Sequence, residues 1–182
     1  MAEGKIALVV DDEPMPRRLV SEFLKGFGFK VHQAANAEEA KALIKEHHPH
    51  LLVTDFYMPG MTGAQLVTNV RESGNHHVHV LGISGRAGDW DDPKSMRAFV
   101  EHHNTTYLAA PPMHFLEKPF RMDAFKAKLD EMGVGKETTK WKGLINETKP
   151  FPSKKSVSGK PGQEKPITQK SRPFPLKRFG HK

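Results

Sequence analysis

The sequence predicts an α/β fold, a five-stranded parallel sheet doubly wound in the order 2-1-3-4-5 with helices on both faces. Three observations lead there. Five short apolar runs alternate with segments whose apolar residues recur at helical spacing. Four of those runs end in polar residues, namely Asp11 with Asp12, Asp55, Ser84 and Lys118. In residues 51–63, LLVTDFYMPGMTG, an apolar run delivers one acid to its exposed end before Pro59 and Gly60 turn the chain towards a helix.

Taken in order, KIALVV at 5–10 predicts the first strand, running into Asp11, Asp12 and Glu13. Pro14 and Pro16 suit a helix's first turn, and Leu19, Val20, Phe23 and Leu24 share one face of a helix reaching about Lys25, closed by Gly26 and Gly28. Residues 29–33 predict the second strand. Asn36 with Glu39 resembles a capping box that opens a helix to about His47. After the strand ending at Asp55, Leu66, Val67 and Val70 mark a helix over 63–71, closed near Gly74. Residues 78–83 predict a fourth strand entering Ser84 and Gly85. Met96, Phe99 and Val100 define a helix beyond Asp92, residues 115–117 a short fifth strand, and Met122, Phe125 and Leu129 a last helix ending near Gly133.

Composition divides the chain of 182 residues at about residue 133. Residues 1–133 carry 15 Lys and Arg against 18 Asp and Glu, net −3, whereas residues 134–182 carry 13 against 3, net +10. The expectation is one domain followed by a basic extension, rich in Lys, Pro, Ser and Gly, that remains disordered. There is no cysteine, which excludes thiol chemistry and disulfides. No leader-like amino terminus and no apolar stretch of the ~20 residues needed for a transmembrane segment are present, so a cytoplasmic protein is expected.

In the predicted strand order the polar strand ends converge on one crevice. Carboxylates held about 4 Å apart repel by roughly 4 kcal/mol per pair at an effective dielectric near 20. A divalent cation removes that cost, and a few oxygen ligands with retained waters suit Mg²⁺. A phosphoryl group on Asp55 would use every neighbour: metal and Lys118 to neutralise its oxygens, the Ser84 hydroxyl to donate a hydrogen bond. A lone Asp at a strand end is ordinarily a turn or cap residue. What lifts Asp55 above that is its register with the acid pair, Ser84 and Lys118.

At this point the chain resembles the receiver domain of two-component response regulators, through VVDDEP (9–14), TDFYMPGMTG (54–63), GISG (82–85) and FLEKPF (115–120), in order across residues 4–133. The resemblance implies a flavodoxin-like fold. It implies that Asp55 accepts a phosphoryl group from a phosphohistidine on a sensor histidine kinase or histidine phosphotransfer protein. Asp11, Asp12, Asp55 and the backbone carbonyl of Tyr57 would bind Mg²⁺, and Ser84 and Lys118 would contact the phosphoryl group. Ser84 and Phe115 would form the switch, and the Lys118-Pro119 bond would be cis. Taken alone, Phe115 reads as a core aromatic, and Tyr107 is the competing position for the switch. The connection from Ser84 to Lys118 is longer than the family's, with AAPPMH (109–114) interrupting the approach to the last strand. Tyr57 and Arg86, each two residues beyond a site residue, would hinder the attacking water, so a phosphoryl lifetime of minutes or longer is expected.

Two stretches stand outside that site. HHPH (47–50) and HHVH (76–79) precede adjacent strands at the end of the sheet opposite Asp55, where they could meet and bind a transition metal or respond to pH, or serve as polar loops. The extension holds KPFP (149–152) and RPFP (172–175), aromatics among basic residues that suit a short binding motif or a tether to nucleic acid, an anionic membrane or an acidic partner. The expected protein is a phosphoacceptor switch rather than an enzyme, acting on a downstream protein without a folded output domain. The alternatives are a scaffold that works without phosphorylation and a Mg²⁺-dependent phosphohydrolase. The latter would want an acid where Tyr57 stands.

Overall fold

In a computed structural model describing residues 5–85 and 93–135, five parallel strands pair in the order β2-β1-β3-β4-β5. Along the chain they are β1 (Ile6–Val10), α1 (Pro14–Gly26), β2 (Lys30–Ala34), α2 (Ala37–His47), β3 (Leu51–Asp55), α3 (Gly63–Glu72), β4 (His79–Gly85), α4 (Pro93–Thr106), β5 (His114–Lys118) and α5 (Met122–Glu131). The parallel doubly wound sheet is the one the alternation predicts.

Alternation along the strands divides the core into two layers. Ala7, Val9, Leu51, Val53, Leu81 and Ile83 face α1 and α5, with Leu24, Phe125 and Leu129 packed on them. Leu8, Val10, Leu52 and Val80 face α2, α3 and α4, meeting Ile44, Leu66, Val67 and Val70. Both faces being covered, the central strand β3 is buried at all five positions.

Capping fixes where the helices begin and end. Asn36 accepts from the Glu39 amide at 2.9 Å, but the Glu39 carboxylate reaches back to the amide of Ala35 rather than that of Asn36, at 2.8 Å. Thr62 and Gln65 form the full reciprocal box at the start of α3, just behind Asp55. Helix α5 closes through Gly133 at φ 66°, with Val134 N–H donating to Leu129 and Gly133 N–H to Asp130. That turn carries Val134, which composition alone puts in the extension, into the α1/α5 layer, where it is buried.

Strand β4 runs two residues further than the apolar pattern predicts. Its ladder to β5 continues through Ser84 opposite Glu117 and Gly85 opposite Lys118, so polar residues extend a strand that hydrophobicity would have ended. The Lys118-Pro119 bond is cis. Among the described residues no helix is long and apolar enough to cross a membrane. The expectation of a disordered extension falls on residues 136–182, outside the described residues, as does Arg86.

Candidate functional site

Strands β1 and β3 are neighbours paired Val10 to Thr54, so the residues following each of them, Asp11 and Asp55, emerge side by side. Opposite, the β4–β5 ladder ends at Gly85 and Lys118 and aims the lysine into the same crevice. Its Nζ donates to Asp11 Oδ2 and to Asp55 Oδ2, both at 3.0 Å, with all three residues buried. The remaining oxygens are used locally: Asp11 Oδ1 accepts from Glu13 N–H and Asp55 Oδ1 from Tyr57 N–H, each at 2.9 Å. Arg17, on α1, donates to the Asp11 carbonyl and pins the turn into the helix.

Burial pushes the Asp11 carboxyl above its usual range; Lys118 opposes that rise and the neighbouring charge of Asp55 adds to it. With half-buried Asp12, the two acids place ligand oxygens within 4.8 Å of one another. Hard oxygen donors at that spacing, carrying more negative charge than one lysine offsets, fit a small divalent cation. No other group of three or more His, Asp or Glu comes that close among the described residues.

Of the two readings of the histidine runs, the metal-binding one finds no such group among the described residues. His47 stacks on His32 of β2, centroids 3.8 Å apart. His50 Nδ1 accepts from Ile6 N–H at 3.1 Å, and the His50 carbonyl accepts from His79 N–H at 2.9 Å, so these residues join strand starts.

Ser84 lies in β4, its side chain outside the described ones. Phe115 lies in β5 opposite Gly82, half-buried at the edge of the α4 layer. Tyr107 is not in the strand. It follows α4, where its ring packs on His103 with centroids 4.8 Å apart.

The sequence reading missed how the long connection into β5 is held. Asn104 receives Met113 N–H at 2.7 Å and donates to the Met113 carbonyl at 3.1 Å. Arg71, buried on α3, donates to the carbonyls of Asn75 and Pro111 and to Nε2 of His103. A signal was present: Arg71 stands four residues after Val67 and His103 four after Phe99, polar residues at apolar-face positions.

The family model for the response regulator receiver domain matches residues 7–130. Among curated relatives, response regulator Rre1 of Synechocystis sp. is 36% identical over 131 residues, covering 70% of this chain and 51% of its own length. Transcriptional regulatory protein SrrA of Staphylococcus aureus is 35% identical over 78 residues, 43% of this chain and 32% of SrrA. The chain therefore spans about half the length of these relatives, or less. Of solved structures, a response regulator receiver protein from Pseudomonas putida superposes with a TM-score of 0.57 at 27% identity, covering 73% of this chain and 98% of that one. Chemotaxis protein CheY4 of Vibrio cholerae gives 0.57 at 24% identity, covering 71% and 98%, a likeness of fold.

Proposed function

Because the chain belongs to the response regulator receiver domain family, we propose that it is a phosphorylation-controlled switch in the cytoplasm, taking a phosphoryl group on Asp55 from a phosphohistidine of a sensor histidine kinase or histidine phosphotransfer protein. The observation that carries this reading is the buried lysine shared between two acids: Lys118 Nζ, 3.0 Å from Asp55 and from Asp11, with Asp12 alongside. A scaffold would gain nothing from burying that charge cluster, which costs free energy to desolvate.

In the transfer, an oxygen of Asp55 attacks phosphorus in line while the P–N bond to the donor imidazole breaks and its electron pair returns to that nitrogen. Lys118 holds positive charge where the phosphoryl oxygens arrive, and its rigid burial keeps it there. Asp11, Asp12, Asp55 and the Tyr57 carbonyl would hold Mg²⁺. When bound, that ion supplies further neutralisation of the transferring group. The Ser84 hydroxyl would donate to a phosphoryl oxygen, and Phe115, in the strand that carries Lys118, would change its packing as β4 and the phosphate draw together. Water attack on the acyl phosphate would reset the switch; the chain is a phosphoacceptor acting through protein contacts, with no further catalytic activity.

Intact mass after incubation with Mg²⁺ and acetyl phosphate tests this directly. A single phosphoryl adduct is expected that requires Mg²⁺ and is lost in Asp55→Asn. A folded protein that takes no adduct would leave the phosphorylation-independent scaffold as the better account.

A further inference from the structure

We infer that the basic extension binds back onto its own domain, with residues 149–152 (KPFP) seated in the open groove between α4 and β5. The groove encloses about 550 Å³ and is lined by Val100, Glu101, Asn104, Thr105 and Phe115. Its apolar floor is Val100 and the half-buried ring of Phe115, on the outer strand of the sheet. The rim is polar and acidic. Glu101 is exposed on α4, and exposed Glu117 follows Phe115 by two residues, on the same face of β5.

In KPFP an aromatic stands between two prolines with a cation beside it. Pro-rich segments dock aromatic-lined grooves because their backbone is already restricted, so little entropy is lost on binding. Phe151 would fill the floor against Phe115 and Val100, and Lys149 would meet Glu101. The larger charge balance acts the same way, since residues 1–133 carry net −3 and residues 134–182 net +10.

The path of the chain makes the contact reachable. Helices α4 and α5 run back against the strands they follow. The second half of α4, the start of β5 and the end of α5 therefore share one end of the sheet. Glu131 Oε1 lies 3.3 Å from Nδ1 of His114, the residue before Phe115. The chain thus leaves Gly135 at the same end of the edge strand β5 as the groove but on its other face, and the sixteen residues from there to Phe151 span about 50 Å when extended, enough to pass round that edge. A tether of that length holds its ligand at about millimolar effective concentration, enough to populate a weak contact. RPFP at 172–175 supplies a second equivalent ligand. Any partner that needs Phe115 and Val100 must then displace the extension. Nothing in this contact requires phosphorylation, so it stands or falls separately from the role of Asp55.

The test compares backbone amide spectra of the full chain with those of the full-length F151A/F174A variant, whose changes lie outside the described residues. Removing both rings is expected to move the amide signals of Val100, Glu101, Asn104 and Phe115. Salt at about 0.5 M should move the wild-type signals the same way, because screening at that strength confines charge attraction to a few ångström. Glu101→Lys should release the extension, Lys149→Glu combined with Arg172→Glu should do the same, and all three changes together should restore it. Groove signals that coincide in the wild-type and F151A/F174A spectra would overturn the inference. So would groove shifts that grow with protein concentration, which would assign the contact to a second copy.

Discussion

Nε of Arg71 donates to Nε2 of His103 across 3.4 Å, between two side chains buried at 1% and 3% exposure. A ring nitrogen that accepts from a guanidinium carries no proton, so His103 is neutral in the folded state. Burial, then the Arg71 charge, then His102 lower its pKa to about 4. Unfolded, the same imidazole titrates near 6.5. Between those values the unfolded chain binds a proton that the native state does not. Stability from this site is thus intact above pH ~6.5 and lost as pH falls towards ~4, by at most about 3 kcal/mol. His32, His79 and His114 are also held below their usual range by burial and act in the same direction. His103→Gln keeps an acceptor for Arg71 and removes the titration. Urea unfolding between pH 7 and pH 4 should show a shallower loss in this variant, and the difference between the two proteins isolates His103.

The same arginine predicts a local effect. Its donations to His103 and Pro111 join α3 to α4 and to the connection before β5, which Asn104 also holds. Arg71→Met keeps most of the volume but leaves the Asn75 and Pro111 carbonyls and His103 Nε2 without that donor. Roughly 2–4 kcal/mol of destabilisation is expected, since each buried acceptor left unsatisfied costs about 1–3 kcal/mol and some of them reach water. Amide exchange around Tyr107, Leu108 and Ala110 should accelerate more than in β1 or β3. Equal acceleration everywhere would mean that Arg71 supports the fold as a whole and not this connection.

Residue pattern carried the fold because each level agreed: apolar runs, helix starts and strand-end acids pointed to one topology. Asp11, Asp12, Asp55 and Lys118 were legible because a buried charge has few uses, and four in register have fewer. Less of the surrounding network could be read. Arg71 and His103 look like interruptions of an apolar face until the structure shows them bonded to each other. Strand β4 continues into Ser84 and Gly85 on the strength of its neighbour's backbone, a pairing that hydrophobicity does not report. The histidine runs left two readings open, and of these the metal site finds no support: His50 joins strand starts and His47 stacks on β2.

Two glycines near the acid allow close approach, one to its backbone and one to the neighbouring Phe56 ring. A Cβ on Gly63 would lie 2.1 Å from the Asp55 carbonyl oxygen, and one on Gly82 would lie 2.2 Å from the Phe56 ring. The first obstacle is backbone, so Gly63→Ala must push α3 away from the strand end that presents Asp55. Gly82→Ala meets a ring that stands edge-on to Phe99 of α4 at 6.0 Å, and displaces α4 instead. Both should destabilise by about 1–3 kcal/mol, the range for overpacking a core. They should differ in chemistry: the rate of Asp55 modification by acetyl phosphate should fall in Gly63→Ala and change much less in Gly82→Ala. A common rate would show that the approach of α3 does not position the acid.

Lys118 decides whether the acidic crevice is stable without a metal. Its two ion pairs are buried, and deleting one member of such a cluster leaves the others uncompensated, at a cost of about 3–5 kcal/mol. Lys118→Met, measured by urea unfolding in the absence of divalent ions, is expected to lose stability in that range. Asp55→Asn alone should cost less, because Lys118 keeps its pair with Asp11 and the repulsion on Asp11 is relieved, although the single amide oxygen can accept from only one of Tyr57 N–H and Lys118. Combining the two should cost less than Lys118→Met alone, because the carboxylate that lost its cation is gone. A divalent cation held by this crevice in the native state alone would stabilise it by mass action. Added Mg²⁺ should recover more stability in Lys118→Met than in the parent, since the ion then replaces the missing charge. If Mg²⁺ raised both proteins equally, lysine and ion would be acting on different carboxylates, and the crevice would not be the single electrostatic unit its geometry describes.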